Sequence, residues 1–113
     1  MDELCWGAAW LAKATGDSSY LSKAEGFYDD LGLTETPSEF SWDNKVMGAT
    51  VLLYELTGSS KYEQALNDII DYIMNGASYT PQGLIFIDVW GSLRHAGNLA
   101  HLCLQVIFVF ICI

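Results

Sequence analysis

Apolar residues return every three or four positions along most of this chain, which is the spacing of an amphipathic α-helix. Near the start, Leu4, Ala8 and Leu11 follow that spacing, and two tryptophans fall among them. The same pattern predicts five helices, at about residues 2–14, 17–30, 42–56, 60–75 and from residue 92 onward. We therefore predict an all-α fold.

A motif that joins two of these helices occurs twice. The pattern Leu-x-x-x-Thr-Gly-x-Ser-x-Tyr begins at Leu11 and again at Leu53, 42 positions later. In each copy the glycine, Gly16 or Gly58, is placed to end a helix in the left-handed conformation. A helical hairpin has one apolar face that it cannot bury alone, so such hairpins stack side by side. The repeat predicts an α/α array, either an open solenoid or a closed ring.

Two segments do not follow the helical pattern. Residues 84–89 could form a short strand, although no partner strand is evident. Residues 106–113 have no polar face, and the helical periodicity ends near Gln105. A segment rich in β-branched and aromatic residues is prone to aggregate when exposed. We predict that this segment is a tail foreign to the fold, such as read-through of a splice boundary, with a buried helix end as the alternative.

The charge of the chain disfavours two classes of partner. The net charge is −9, with only five lysines and arginines. Nucleic acids and anionic membrane surfaces need a basic face, so neither is expected as a partner. An acidic surface is compatible with a neutral substrate or with Ca²⁺, which prefers oxygen ligands.

Targeting signals and the cysteine pattern change the predicted fold and function little. No signal peptide is visible, and the apolar run of residues 102–113 falls short of the ~20 residues that span a bilayer. The three cysteines, Cys5, Cys103 and Cys112, form no C-x-x-C pair, and we expect buried free thiols.

The stretch from Trp90 to Arg94 carries the strongest candidate chemistry. Pro81 and Gly83 break the chain before it, and Ser92 is a plausible N-cap for the last helix. Arg94 would then lie exposed in the first helical turn. A flat aromatic face beside a forked donor suits a sugar, but spacing alone favours a buried Trp90 and an Arg94 paired with a surface carboxylate.

Several motifs together resemble a known family. They are Asp-Glu-Leu-x-Trp-Gly-Ala-Ala-Trp-Leu from residue 2, Ala-Thr-Gly-Asp from 14, Phe-Ser-Trp-Asp-Asn-Lys from 40, Tyr-Thr-Pro-x-Gly-Leu from 79 and Trp-Gly-Ser-Leu-Arg-x-Ala-x-Asn from 90. In this order they resemble the middle of glycoside hydrolase family 9, over residues 1–105, and look most like its animal members. These enzymes are endoglucanases that cut β-1,4-glucan. The resemblance implies about two and a half of the six helical hairpins of an (α/α)6 barrel.

The resemblance assigns substrate-binding roles to Trp90, Arg94 and His95. Trp90 and Arg94 match cleft residues of the family, and His95 could line the cleft or be a capping or surface residue. Asp88 could orient Arg94 or be a plain loop carboxylate. Three other tryptophans, Trp6, Trp10 and Trp42, are predicted to be core, and His101 to be core or surface.

A calcium site is also implied by the resemblance. Asp2, Glu3 and Asp43 match positions that bind a structural Ca²⁺ in some family members. Acidic residues are favoured at helix starts in any case, so complementing the helix dipole is an equal alternative. No cofactor is expected to take part in the chemistry.

The family's catalytic carboxylates have no counterpart in this sequence. The family uses an Asp-x-x-Asp pair and a distant Glu for inverting hydrolysis, which needs an acid and a base on opposite sides of the bond. Asp29 and Asp30 are no substitute, because adjacent helical residues point ~100° apart.

We therefore expect a secreted β-1,4-glucan hydrolase in full length, without an obligate protein partner, and no catalysis by this chain alone. The alternatives are a non-catalytic glucan-binding helical fragment and an α-solenoid interaction module.

Overall fold

The computed structural model describes residues 1–33 and 35–112. Its helices are α1 (Asp2–Thr15), α2 (Ser18–Asp30), α3 (Val46–Thr57), α4 (Ser60–Asp71) and α5 (Ser92–Cys112). A π-helical turn (Tyr72–Gly76) and two short strands, β1 (Ser78–Tyr79) and β2 (Ile85–Phe86), lie between α4 and α5. The predicted all-α class is confirmed.

The repeated Thr-Gly motif closes two helical hairpins, as predicted. Gly16 and Gly58 both take left-handed conformations, with φ of 71° and 60°. The hydroxyls of Thr15 and Thr57 each donate to the carbonyl four residues earlier, at 2.7 Å. Each also accepts an N–H from two residues ahead, at 3.1 Å. The motif therefore ends one helix and aims the chain into the next.

Helix α3 is the centre of the molecule. Residues 46–54 are all buried, and α3 packs against each of the other four α-helices. Gly48 allows this packing, since a Cβ there would lie 2.8 Å from the Phe40 ring and closer still to the Trp6 ring. Helices α1 and α5 both pack on α3, while α2 connects α1 to α3 along the chain and α4 leads from α3 towards α5.

The third helix begins later than predicted. Residues 41–45 form a turn, in which the Ser41 N–H donates to the Asn44 carbonyl at 3.0 Å. The Asn44 side chain then accepts the N–H of Val46 at 3.2 Å, so the helix starts at Val46. The predicted start at Trp42 or Asp43 was wrong because these local hydrogen bonds compete with the helix.

The strand predicted within residues 84–89 exists and has a partner. Tyr79 of β1 pairs with Ile85 of β2 in an antiparallel hairpin. The connection is closed by the Thr80 N–H, which donates to the Leu84 carbonyl at 2.8 Å. The partner was missed because two-residue strands leave no alternating pattern.

Helix α5 extends through the predicted tail as far as Cys112, so the expectation that helical order stops near Gln105 was wrong. Leu99, Leu102, Val106 and Val109 keep the helical spacing and are buried. The Phe110 ring lies 5.4 Å from the Tyr54 ring of α3. Burial of one face overrides the β propensity of these residues. The foreign origin of residues 106–113 stays a prediction.

One helix is long and apolar enough to cross a membrane, as judged by length and composition alone. Within the part of the chain that the structure describes, it covers residues Ser92–Ile111 and so includes most of the apolar run of residues 102–113, which is too short to span a bilayer by itself. A third of it is buried inside the protein, and core helices of soluble proteins pass the same test.

Cys5 matches the expected buried free thiol, and Cys103 matches it in part. Cys5 is buried and donates to the Ala24 carbonyl at 3.4 Å, and burial, helped by the charge of Asp2, raises its pKa to about 11. Cys103 is a half-buried free thiol whose pKa is also raised by burial. The side chain of Cys112 lies outside the described residues.

We expect Gly58→Ala to destabilise the fold by about 1–2 kcal/mol, because an L-residue is strained at this positive φ. Gly26→Ala is the matched control, since Gly26 lies inside α2 with open space around its Cα. That change should stabilise the helix by up to about 1 kcal/mol. Urea unfolding measures both changes. Equal effects from the two substitutions would contradict the turn assignment.

We expect different effects from substitutions of two neighbouring residues of α5. Val109→Ser should lower the unfolding free energy by about 2 kcal/mol, because Val109 is buried. Phe108→Ser should change stability little and reduce self-association, because the Phe108 side chain is 66% exposed. Urea unfolding and size-exclusion chromatography would measure these effects. A harmless Val109→Ser would show that the end of α5 does not pack as described.

Candidate functional site

The starts of α1, α3 and α5 lie at one end of the molecule. The Asp2 carboxylate, in the first turn of α1, accepts the Lys45 N–H just before α3 at 2.8 Å. The Asn98 side chain of α5 donates to the Phe40 carbonyl at 2.9 Å. We call residues 39–45 and 88–98 the loop edge. It is the part of the chain where the predicted sugar-binding residues are found.

Trp90 lies on the surface of the loop edge and not in the core. Its side chain is 77% exposed. The Asp88 carboxylate accepts the Trp90 N–H at 3.1 Å, so Asp88 fixes the backbone of Trp90. Helix α5 begins at Ser92 itself, and Gly91, with φ of 65°, makes the turn before it. The predicted N-cap role of Ser92 was therefore wrong by one residue.

Arg94 is exposed in the first turn of α5, as predicted. Its backbone N–H donates to the Gly91 carbonyl at 2.9 Å. Its guanidinium approaches His95 Nε2 through Nη2 at 3.3 Å and Nε at 3.4 Å. The hydrogen bond from Ser41, at 2.5 Å, lowers the pKa of Asp43, and the nearby Arg94 cation lowers it further. Arg94 thus contacts a buried imidazole and lies in the neighbourhood of the Asp43 carboxylate.

His95 is buried, with only 1% of its surface exposed. Its Nδ1 lies 3.3 Å from Glu39 Oε2, although the angle is poor for a hydrogen bond. The surface and capping alternatives for His95 were wrong, because the ring lies beneath Arg94. The Arg94 guanidinium is thus more accessible than the His95 ring, and the substrate-binding role of His95 stays a prediction.

The three tryptophans that were predicted to be core differ in burial. Trp6 is half-buried, with its ring 5.5 Å from Trp10 and 5.8 Å from Phe40. Trp10 is 39% exposed and Trp42 is 72% exposed, so the core prediction was wrong for Trp42 and only partly right for Trp10. Trp42 belongs to the loop edge. The signal was its position between Ser41 and Asp43, in a polar turn outside the apolar periodicity.

Two of the three predicted calcium ligands already accept hydrogen bonds from the protein itself. Asp2 accepts the Lys45 N–H, and Asp43 accepts the Ser41 hydroxyl. Glu3 is exposed on α1. Within residues 1–33 and 35–112, no three His, Cys, Asp or Glu side chains gather into a group that could hold a metal ion. These side chains do not form a calcium site by themselves, and calcium binding stays a prediction.

The model of the family Glycosyl hydrolase family 9 matches residues 1–107. The chain belongs to this family. Endoglucanase B of Cellulomonas fimi is 44% identical over 91% of this chain and 11% of its own length. These matches agree with the resemblance seen in the sequence.

Solved family 9 enzymes share the fold. The endoglucanase of the termite Nasutitermes takasagoensis matches 98% of this chain with a TM-score of 0.89 and 42% identity. The cellulase Cel9M of C. cellulolyticum, in complex with cellobiose, matches 92% with a TM-score of 0.84 and 33% identity. The predicted partial (α/α)6 barrel is confirmed. The chain spans 26% and 25% of these two enzymes, and a smaller share of the Cellulomonas relative.

We expect Asp2→Ala to destabilise the family 9 chain by about 1 kcal/mol, because Lys45 loses the acceptor of its N–H. Partial burial opposes ionisation of Asp2, but hydrogen bonds, chiefly from the Lys45 N–H, hold its pKa below the ordinary 3.8. The contribution of Asp2 is therefore present above about pH 4 and is lost as the pH falls through the lower folded-state pKa.

Urea unfolding in the presence of a chelator, at pH 7 and in steps below pH 4, measures this effect. The stability difference between the native chain and Asp2→Ala should narrow at low pH. Asp2→Asn keeps an oxygen acceptor and should retain part of the stability. A difference that does not change with pH would contradict the role of the Asp2 carboxylate.

Proposed function

We propose that this chain forms part of the glucan-binding cleft of a β-1,4-endoglucanase. The observation that carries the proposal is the exposure of the Trp90 indole, four residues before the exposed Arg94, at the edge where α1, α3 and α5 begin. Relatives of the chain are endoglucanases, and one solved relative holds cellobiose. These facts support a cellulose-type glucan as the ligand.

The side chains of the loop edge suit a sugar chain. The faces of a glucose ring carry C–H groups that can pack on an indole, and its rim carries hydroxyls that accept hydrogen bonds. Trp90 supplies the flat apolar face, and Arg94 supplies fixed N–H donors. Trp42, which is also exposed in the loop edge, offers a second indole face. A neutral polymer is also compatible with the net charge of −9.

We infer that the proton-transfer groups for hydrolysis come from other segments of the full-length protein. Inversion needs a protonated acid on one side of the bond and a base on the other. Asp43 has a lowered pKa, which suits a charged partner of Arg94 and opposes a role as acid. Asp88 is engaged with the Trp90 N–H. The chain alone should therefore hold glucan without cleaving it.

We also infer that the full-length enzyme acts outside the cell. The resemblance to secreted endoglucanases of this family supports that inference.

We expect Trp90→Ala to weaken binding of cellotetraose about ten-fold, which corresponds to ~1.4 kcal/mol of lost stacking. Calorimetric titration of the 113-residue chain measures the affinity. Trp10→Ala is the matched control, because Trp10 is partly exposed on α1 and lies outside the loop edge. Equal losses from both substitutions would show that Trp90 has no specific role. A native chain that binds no cellotetraose would favour an interaction module instead.

The same samples test the inference about catalysis. The purified chain should release no reducing ends from carboxymethyl-cellulose above the level of an Arg94→Ala control. Release above that level would show that catalytic groups lie within this chain.

A further inference from the structure

We propose that His95 is a positioning residue, which holds the Arg94 guanidinium in place by accepting hydrogen bonds at Nε2. In this arrangement Glu39 fixes the ring in the tautomer that carries its proton on Nδ1. The proposal rests on the glucan-binding role of Arg94 and assigns the buried residues that prepare Arg94 for it. The observation behind it is the line of three side chains from Glu39 through His95 to Arg94.

The contact between Arg94 and His95 allows only one direction of hydrogen bonding. Arginine is always protonated and only donates. Nε2 of His95 lies 3.3–3.4 Å from two guanidinium nitrogens, so it must present a lone pair. In a neutral imidazole the proton is then on Nδ1. A protonated ring would place two cations and two donors face to face.

The other side of the ring requires the same tautomer. Nδ1 is buried, and Glu39 Oε2 lies 3.3 Å away. An ionised carboxylate only accepts hydrogen bonds, so it favours an N–H at Nδ1. The angle is poor in the present conformer, but the Glu39 side chain is partly exposed, so a rotation of its carboxylate is open to it. Such a rotation would satisfy the buried Nδ1 group, which is costly to leave unpaired.

The neighbouring charges are consistent with a neutral ring. Glu39 comes from the loop before α3, and Arg94 precedes His95 on α5. Asp43, from the turn before α3, is close enough to Arg94 for the cation to lower its pKa. Tyr72, in the turn after α4, has a pKa that burial and the nearby Glu39 raise, so it stays uncharged. Negative and positive side chains thus alternate around an uncharged imidazole.

Gly91 supports the same orientation of Arg94 from below. A Cβ at Gly91 would lie 3.1 Å from both Cδ and Nε of Arg94, so the arginine stem rests on the glycine backbone. A free arginine loses much rotamer freedom when a ligand immobilises it. Contacts with Gly91 and His95 restrict Arg94 before the ligand arrives, so less affinity is lost on binding.

A purely structural His95 would fill the core and have no effect on Arg94. A double-mutant cycle separates the two roles. His95→Phe should weaken cellotetraose binding about two- to ten-fold when Arg94 is present. The same change should have no effect on binding in the Arg94→Ala background. His95→Gln should recover part of the affinity, since its carbonyl oxygen can accept from Arg94. An equal loss in both backgrounds would overturn the proposal.

The tautomer of His95 can be measured without any ligand. Long-range ¹H–¹⁵N spectra of the ¹⁵N-labelled chain at neutral pH should show a protonated Nδ1 and an unprotonated Nε2 for His95. The exposed His101 serves as the internal reference. A proton on Nε2 would overturn the proposal even if the substituted chains failed to fold.

The binding experiment and the NMR experiment together also separate this proposal from the glucan-binding function on which it rests. The expected tautomer in a chain that binds no cellotetraose would support the Arg94 contact and reject the glucan site. Cellotetraose binding that is lost in Arg94→Ala but unchanged in His95→Phe would keep the glucan site and reject the role of His95.

Discussion

The close approach of α1 and α3 at Gly48 is the constraint on which the rest of the structure depends. The space of a side chain at Gly48 is taken by the rings of Trp6 and Phe40. Because Phe40 is held there, the loop before α3 is held too, and its carbonyl receives the Asn98 side chain of α5. The close packing that Gly48 allows in the middle of α3 therefore connects α1, the loop edge and α5.

Local chemistry explains the part of the fold that could be predicted. The Thr-Gly turns depend on contacts within four residues and on the left-handed conformation of a glycine, so the repeat revealed both hairpins. The start of α3 was misplaced because a short turn and the distant Asp2 carboxylate compete with the helix at Lys45. The end of α5 was misjudged because an entirely apolar segment carries no polar positions that would mark which face is buried.

The candidate site also contains residues whose position could be predicted from the sequence and residues whose position could not. Trp90 and Arg94 lie close together in sequence beside a loop. Their exposure agrees with the cleft position that the resemblance implies, whereas spacing alone favoured a buried Trp90. Trp42 was assigned to the core because aromatic residues near a predicted helix usually pack there. The role of Glu39 could not be predicted, since it depends on a tertiary contact between the loop before α3 and the buried ring of His95. Side chains that act through another residue leave no local pattern in a sequence.

A chain that spans about a quarter of its solved relatives can keep their fold because its stabilising contacts are between neighbours. Each hairpin packs on the next through α3, as in repeat proteins whose stability is a sum of local and nearest-neighbour terms. The same architecture leaves apolar side chains exposed on the outer face of α5, among them Ile107, Phe108 and Ile111. In a closed ring such a face would meet a further helix.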